Sequence, residues 1–303
     1  MISKAKILIA AIIFFVLAGF SGYFFLSAPK NFPSGETIAI EKGKGLAEIS
    51  GKLKKEGFIR SKYAFALYAR ALGKSKKIKY GKYLFNEPVS VFSLISRLTK
   101  GEFGFKPIKV TVTEGLTIKD ISELFGDFEN FDKEEFLGKT GKLEGYLFPD
   151  TYLFLPFAEM EQIIGTMTDN FKNKAGDVGK EIVIMASLIE KEVPNSDDRK
   201  IVSGILWKRL KLGMALQVDA VFPYITGNRK ILSDDLKIDS LYNTYLNKDL
   251  PPGPISNPGL DAIEAAKNPK ETLYLYYLSG NDGKTHFAKT FAEHLKNKEK
   301  YLR

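Results

Sequence analysis

The feature that most constrains this chain is an apolar run from Ile7 to Ala28 that no charged residue interrupts. As an α-helix the run would be roughly 33 Å long at about 1.5 Å per residue, enough to cross the hydrocarbon core of a bilayer. Lys4 and Lys6 precede it, so we expect the N-terminus inside and everything after Pro29 outside. A cleaved signal peptide is the alternative, although its apolar core is normally shorter and ends at a small-x-small cleavage site. We predict a retained single-pass anchor.

The composition of the remaining chain excludes several classes of site. Hydrophobic residues make up 44% and charged residues 27% of the 303 residues, which is the balance of a folded globular protein. There is no cysteine, so disulfides and thiolate metal sites are excluded. A zinc site or a serine–histidine triad would depend on His286 or His294, the two histidines of the chain. The sequence indicates no metal and no organic cofactor.

The net charge of +9 is concentrated in one stretch. Lysine and arginine crowd the residues from Lys52 to Lys82, where Glu56 is the single acid. Such a stretch is either a solvated face or a surface attracted to anionic lipid headgroups or wall polymers, and both interpretations stay open. No nucleic-acid recognition motif accompanies the charge, so we do not expect nucleic acid as a partner.

After a linker at residues 30–36, residues 37–105 have the pattern of a small α+β unit. Its predicted elements are a strand (37–40), a helix (45–53), a second helix (62–72), a strand (83–85) and a further helix (91–98). The first four have the order strand–helix–helix–strand, or βααβ.

A weak internal repeat follows this unit. The pair of segments 42–43 and 49–50 resembles a second pair, 114–115 and 121–122, in sequence and in spacing. The segment 81–85 is also echoed at 145–148. The pattern predicts a second unit of the same kind within residues 106–160, with chance similarity of short apolar stretches as the alternative.

The C-terminal part alternates between strong helical patterns and loops, which makes the predicted fold class α+β. Its predicted elements are helices at 180–193 and 197–212, a loop-rich region at 217–259, a helix at 260–267, a strand at 273–278 and a polar helix at 287–301. The first helix is expected to end before Pro194, and Gly213 is expected to close the second.

The helix at 180–193 is apolar almost all round, so we expect it to be buried. Glu190 and Glu192 lie on its last turn, roughly 160° apart on the helical wheel. Burial and the negative end of the helix dipole both raise the pKa of a carboxyl group, which could then donate a proton near neutral pH. A tight carboxylate pair about 5 Å apart is not expected. One acid with polar helpers is the functional hypothesis, and a frayed helix end with two solvated acids is the alternative.

The segment Ala186–Glu192 resembles the core motif of the YceG-like family of endolytic murein transglycosylases. Further segments resemble that family in the same order: 144–152, 213–219, 242–245, 250–255, 274–276, Gly283 and 286–287. The resemblance covers most of the chain. Val218 and Ala220 stand where many relatives have threonine and proline, and Val193 stands where many have threonine, which puts fine substrate contacts in doubt.

The resemblance implies a lyase with a cytoplasmic tail and transmembrane anchor (1–29), a LysM-like subdomain (37–105) and a catalytic domain (106–303). It would lie in the bacterial cytoplasmic membrane and cleave the β-1,4 bond from N-acetylmuramic acid to N-acetylglucosamine within nascent peptidoglycan strands, leaving 1,6-anhydro ends. Peptidoglycan synthases are candidate partners. A hydrolytic muramidase and a non-catalytic peptidoglycan-binding scaffold of the wall-synthesis machinery are the alternative functions.

The resemblance also assigns roles to residues. The matching acid is Glu192, which would act first as acid and then as base, with Glu190 as the fallback. The candidates for binding or supporting the substrate are Ser187, Gln217, Asp219, Tyr242, Asn243, Tyr245 and His286.

Overall fold

The computed structural model describes residues 4–129, 131–193, 195–228 and 230–302, without the side chains of residues 4–8, 10, 11, 15, 17 and 18. The chain divides into two compact units, Met1–Lys106 and Pro107–Arg303. Both contain helices and antiparallel strands, so the predicted α+β class is confirmed.

The first unit begins with helix α1 (Lys4–Leu26). Part of the predicted anchor falls on side chains outside the described set. Among the residues that are described, no helix combines the length and the apolar character needed to cross a membrane. The guanidinium of Arg60 donates to the carbonyl of Ala28 at 2.7 Å and lies 4.2 Å from the Phe24 ring centroid, which ties the end of α1 to the rest of the unit.

The rest of the first unit consists of β1 (Glu36–Ile40), α2 (Leu46–Lys55), α3 (Lys62–Ala71), β2 (Gly81–Phe85) and α4 (Val91–Lys100). β1 and β2 pair antiparallel, with Ile38 opposite Tyr83. Both side chains are at most 1% exposed and pack with Leu53, Phe65 and Leu94 in one core. The predicted βααβ order is therefore present, while the LysM-like identity stays a prediction.

The second unit starts with β3 (Ile108–Thr111), α5 (Ile118–Glu123), α6 (Lys133–Thr140) and β4 (Thr151–Phe154), and β3 and β4 pair antiparallel. This is the same βααβ order as in the first unit. Gly43 and Gly115 both have left-handed φ angles, +82° and +78°. Ser50 and Ser122 both donate to the carbonyl three residues earlier. The two segments thus share turn and helix details as well as order.

The second strand of this segment is not at the position of the echo at 145–148. Gly145 has a φ of +88°, a left-handed value that a strand does not adopt. The residues around it form a turn, and β4 begins only at Thr151.

The remaining elements are α7 (Met160–Ala175), α8 (Lys180–Glu192), α9 (Ser196–Lys211), α10 (Val221–Thr226), a short 3-10 turn (Asp235–Lys237), α11 (Leu260–Lys267), β5 (Tyr276–Ser279), β6 (Thr285–Ala288) and α12 (Phe291–Tyr301). Helix α8 is buried from Val183 to Ile189 and packs against α9 and α11, as its apolar pattern predicts.

The C-terminal helix begins later than predicted. β6 occupies the start of the predicted helix and pairs with β5, and α12 begins at Phe291. The reason is local, because Thr290 and Glu293 form a capping box that starts the helix there.

Candidate functional site

Helix α8 ends at Glu192, and the next residue, Val193, is extended with φ −134° and ψ 113°. Val193 precedes a proline in the sequence, which disfavours a helical conformation at this position. The helix therefore presents Glu192 as its last residue. The carboxylate accepts the N–H of Ala220 on Oε1 at 3.3 Å and the O–H of Tyr277 on Oε2 at 3.1 Å.

The surroundings of Glu192 set its protonation. The residue is partly exposed, and desolvation of its carboxyl group by the surrounding protein atoms raises the pKa to about 7. The Ala220 N–H opposes this rise, the negative charge of Asp219 adds to it, and the Tyr277 hydroxyl opposes it. A carboxyl group with this pKa can both donate and accept a proton near neutral pH.

Glu190 lies in a different environment. Its Oε1 accepts from Arg199 at 2.7 Å and its Oε2 accepts from the Gly259 N–H at 2.9 Å. The Glu190 and Arg199 side chains are 5% and 12% exposed. Burial raises the Glu190 pKa, while the Gly259 N–H and the Arg199 charge lower it. Arg199 also bonds Val193 and Asp261, so this pair joins α8, α9 and α11.

A strained backbone lies in the loop beside Glu192. Gln217 has a φ of +52° and is, in the described part of the chain, the one non-glycine residue with positive φ. Its N–H donates to the Thr244 carbonyl at 3.0 Å, and the next N–H, from Val218, donates to Thr244 Oγ1 at 2.9 Å. The preceding residue, Leu216, is also fixed, because the Arg209 guanidinium donates to its carbonyl at 2.8 Å. Such strain persists when the surroundings impose it, and it is common at functional sites.

Asp219 and Tyr245 connect this loop to Glu192. The Tyr245 hydroxyl donates to Asp219 Oδ1. Burial, this hydrogen bond and the charges of Asp219 and Glu192 all raise the Tyr245 pKa. Gln217 and Asp219 are exposed. Of the predicted residues, Asp219 and Tyr245 thus lie near Glu192, and Gln217 lies on the same loop as Asp219.

Two other predicted residues are buried and stabilise the backbone segments around the site. Asn243 is fully buried, and its amide donates to two backbone carbonyls and accepts the Tyr245 N–H. Ser187 is also fully buried and connects α8 to the Ile255 N–H. Both residues order backbone segments and present no group to a ligand.

The structure places His286 away from Glu192. In the β5–β6 pair, Leu278 lies opposite His286 and Tyr277 lies opposite Phe287. Successive side chains of a strand point to opposite faces, so His286 points away from the face that carries Tyr277. Its Nε2 is 3.1 Å from Asp282, and its ring stacks on Tyr301 at 3.5 Å between centroids.

Sequence reasoning missed Tyr277, which lies 85 residues from its partner Glu192. Burial and the Glu192 charge raise the Tyr277 pKa far above its usual value, so the phenol stays protonated and remains a donor. The aromatic strand pattern predicts a buried side chain here but does not indicate its partner. The described residues also contain no group of three or more potential metal ligands.

Comparison with known proteins gives consistent matches along the chain. The model of the YceG-like family matches residues 38–300. A Bacillus subtilis protein named endolytic murein transglycosylase is 34% identical over 90% of this chain and 86% of its own length. A Streptococcus pneumoniae protein of the same name is 30% identical over 95% of this chain, which spans 64% of that relative. The crystal structure of a YceG-like protein from Listeria monocytogenes matches with a TM-score of 0.56 and 30% identity, over 87% of this chain and 99% of that one.

Proposed function

This chain belongs to the YceG-like family, and from that premise we propose that it is a peptidoglycan lytic transglycosylase that cuts glycan strands internally, with Glu192 as its acid and base. The enzyme class, a lyase, is that of the relatives named endolytic murein transglycosylase. The assignment of the acid rests on one observation. Glu192 is a partly exposed residue at the end of a buried helix, where desolvation raises the pKa of its carboxyl group to about 7 and two hydrogen bonds hold it.

The proposed reaction breaks the β-1,4 bond from N-acetylmuramic acid to N-acetylglucosamine. Protonated Glu192 donates its proton to the bridging oxygen while the bond from that oxygen to the muramic C1 breaks. The resulting carboxylate then takes the proton of the muramic C6 hydroxyl, whose oxygen closes onto C1. The products are a 1,6-anhydro end and a free N-acetylglucosamine 4-hydroxyl, and no water is consumed. The internal hydroxyl has a high effective concentration, which favours this closure.

The neighbours of Glu192 fit this cycle. The Asp219 charge favours the protonated form before bond cleavage and would stabilise an oxocarbenium-like muramic ring. The Ala220 N–H and the Tyr277 hydroxyl hold the carboxylate formed after the transfer. Glu190 is the weaker candidate, because its side chain is 5% exposed and forms an ion pair with Arg199, whose charge favours the ionised carboxylate over a proton donor.

The location is part of the proposal. Residues 7–28 would anchor the chain in the bacterial cytoplasmic membrane, with the N-terminus inside and the catalytic unit facing the wall. Residues 37–105 would act as a LysM-like glycan-binding unit. Peptidoglycan synthases would be its protein partners, since a nascent strand is available where it is made.

The experiment is digestion of uncrosslinked nascent glycan by the full chain in detergent, with products read by mass spectrometry. We expect anhydro-ended fragments that fall by about 10²–10⁴-fold in Glu192→Gln, the usual contribution of a general acid. Glu190→Gln is the matched control and should retain cleavage. Products one water heavier would instead indicate a muramidase. Tight glycan binding without cleavage by the native chain would indicate a wall-binding scaffold.

A further inference from the structure

The positive charge of the chain is concentrated in the first compact unit. Residues 1–106 contain 19 lysines and arginines and six acids, a net charge of +13. The whole chain carries +9, so residues 107–303 carry −4. The proposed bond cleavage takes place in the second unit and does not use this charge. An excess of this kind attracts an anionic partner.

Helix α3 of the first unit has an outward face that combines apolar and cationic side chains. Its buried residues are Phe65 and Ala69. At about 100° per residue, Tyr63, Leu67 and Arg70 lie within about 60° of one another on the opposite side of the helix. Tyr63 is 76% exposed and Leu67 is 64% exposed. The core of the unit therefore leaves two large apolar side chains of α3 at the surface.

The cations at and after α3 have no acidic partner within the unit. Arg70 lies on the outward face, and Lys76 and Lys77 are exposed in the turn that follows α3. None of the ion pairs among the described residues involves these three side chains. Lys52, in contrast, lies 3.5 Å from Glu41. The charges near α3 are thus available to a partner outside the unit.

Helix α3 also contacts α1, which is itself apolar and exposed. The hydrogen bond from Arg60 to the Ala28 carbonyl fixes the end of α1 close to the start of α3. Among the described side chains of α1, several large apolar ones are more than half exposed: Ile12, Val16, Phe20 and Tyr23. An apolar surface on this scale marks a contact with a membrane or with another protein.

Charge and apolar exposure together select an anionic membrane as the partner. An anionic polymer in solution would bind the cations and leave Tyr63 and Leu67 in water. The surface of an anionic bilayer satisfies both kinds of side chain, because its headgroups attract lysine and arginine while apolar side chains enter the boundary between headgroups and acyl chains. Tyrosine is enriched at this depth of a membrane.

We propose that the α3 surface, made of Tyr63, Leu67, Arg70, Lys76 and Lys77, binds anionic lipid headgroups and holds the first unit against the bilayer. This inference rests on the membrane location proposed above and adds a second contact, which depends on charge. The first unit should therefore be docked on an anionic membrane and undocked on a neutral one.

The test uses the full chain reconstituted in vesicles, with a fluorophore on the α3 surface. The chain has no cysteine, so Leu67→Cys gives a single labelling site for an environment-sensitive dye. The vesicles contain phosphatidylcholine with or without phosphatidylglycerol, and a spin-labelled lipid as quencher. We expect blue-shifted emission and quenching in the anionic vesicles only. Both should disappear at about 1 M salt, where the screening length is about 3 Å.

The charge variant combines Arg70→Gln, Lys76→Gln and Lys77→Gln. Each basic residue near an anionic membrane contributes about a factor of five, so the ratio of docked to undocked label should fall by about 100-fold. The matched control removes the same charge from exposed lysines of the second unit and should leave the ratio unchanged. It combines Lys289→Gln, Lys296→Gln and Lys298→Gln.

A second labelled variant, Leu153→Cys, places the dye on a leucine of the second unit that is 69% exposed. It should show neither the blue shift nor the quenching. Equal signals from Leu67→Cys in neutral and anionic vesicles would overturn the proposal, and so would equal responses at both labelled positions. A blue shift produced by polyglycerol phosphate without vesicles would overturn it in favour of an anionic polymer.

Failure of the α3 surface can be told apart from failure of the proposed function. A chain that does not float with vesicles in a density gradient would refute the membrane location, and the lipid contact with it. A chain that floats but shows no charge-dependent signal would overturn the α3 surface alone. Glycan cleavage by the same samples tests the proposed enzyme activity independently of either result.

Discussion

The hydroxyl of Tyr277 offers a direct test of the proposed catalytic acid, Glu192. Its O–H donates to Glu192 Oε2 at 3.1 Å, and a hydrogen bond to a charged group contributes about 1.5–3 kcal/mol. Tyr277→Phe removes this bond and little else. The lost donor stabilised the ionised carboxylate, so the Glu192 pKa must rise from its value of about 7. At 1.36 kcal/mol per pKa unit, the rise should be about 1–2 units.

The consequence is a displaced pH profile. In the proposed mechanism the first step requires protonated Glu192, so kcat/KM should fall on the alkaline side at the pKa of this residue. In Tyr277→Phe that alkaline limb should move up by about 1–2 pH units, while the maximum rate falls because the carboxylate is less well positioned. The assay is the rate of anhydro-end formation from about pH 5 to about pH 9.

The matched control is Tyr276→Phe, one residue earlier in β5 and on its opposite face, where the ring contacts Arg209. It should leave the alkaline limb in place. An unmoved limb in Tyr277→Phe, or one moved to lower pH, would refute the assignment of Glu192 as the titrating acid. The same shift in both variants would point to a general effect of altering β5.

Three further predictions concern the framework of the site. Glu190→Ala removes the ion-pair partner of Arg199, whose side chain is nearly buried, so the free energy of unfolding measured by urea titration should fall by about 2–3 kcal/mol. An unchanged free energy of unfolding would argue against a structural ion pair. Gly204→Ala places a Cβ 2.0 Å from a backbone carbonyl oxygen and should lower the free energy of unfolding by about 1–3 kcal/mol. Gly165→Ala, inside α7, meets nothing within 4 Å and should raise the free energy of unfolding by about 0.5–1 kcal/mol. Equal melting temperatures of the two variants would contradict this. Gln217→Gly suits the left-handed backbone and should change stability by less than about 1 kcal/mol, while Gln217→Val should lose about 1–3 kcal/mol, and the reverse order in urea titration would show that the strain is not imposed there.

The local features of the fold could be read from short-range patterns. The apolar periodicity of α8 predicted its burial, and the observed bounds of α11 are those predicted, 260–267. The strand–helix–helix–strand order of residues 37–85 also followed from alternation and helical spacing. These features depend on neighbouring residues, whose side chains decide between a helix and a strand within a few positions. The echo of residues 81–85 at 145–148 coincides with a turn around Gly145, and strand β4 lies further along, at Thr151–Phe154.

The sequence by itself determined that two acids end a buried helix on opposite flanks, and its resemblance to a family favoured Glu192. Only the tertiary structure decided what surrounds each acid. Arg199 and Gly259 bond Glu190. Glu192 is bonded by Ala220 and Tyr277, which lie 28 and 85 residues further along the chain. The physical reason is that the pKa of a carboxyl group depends on its desolvation and on the charges and donors around it. Those surroundings come from distant segments, and no local pattern encodes which ones will meet.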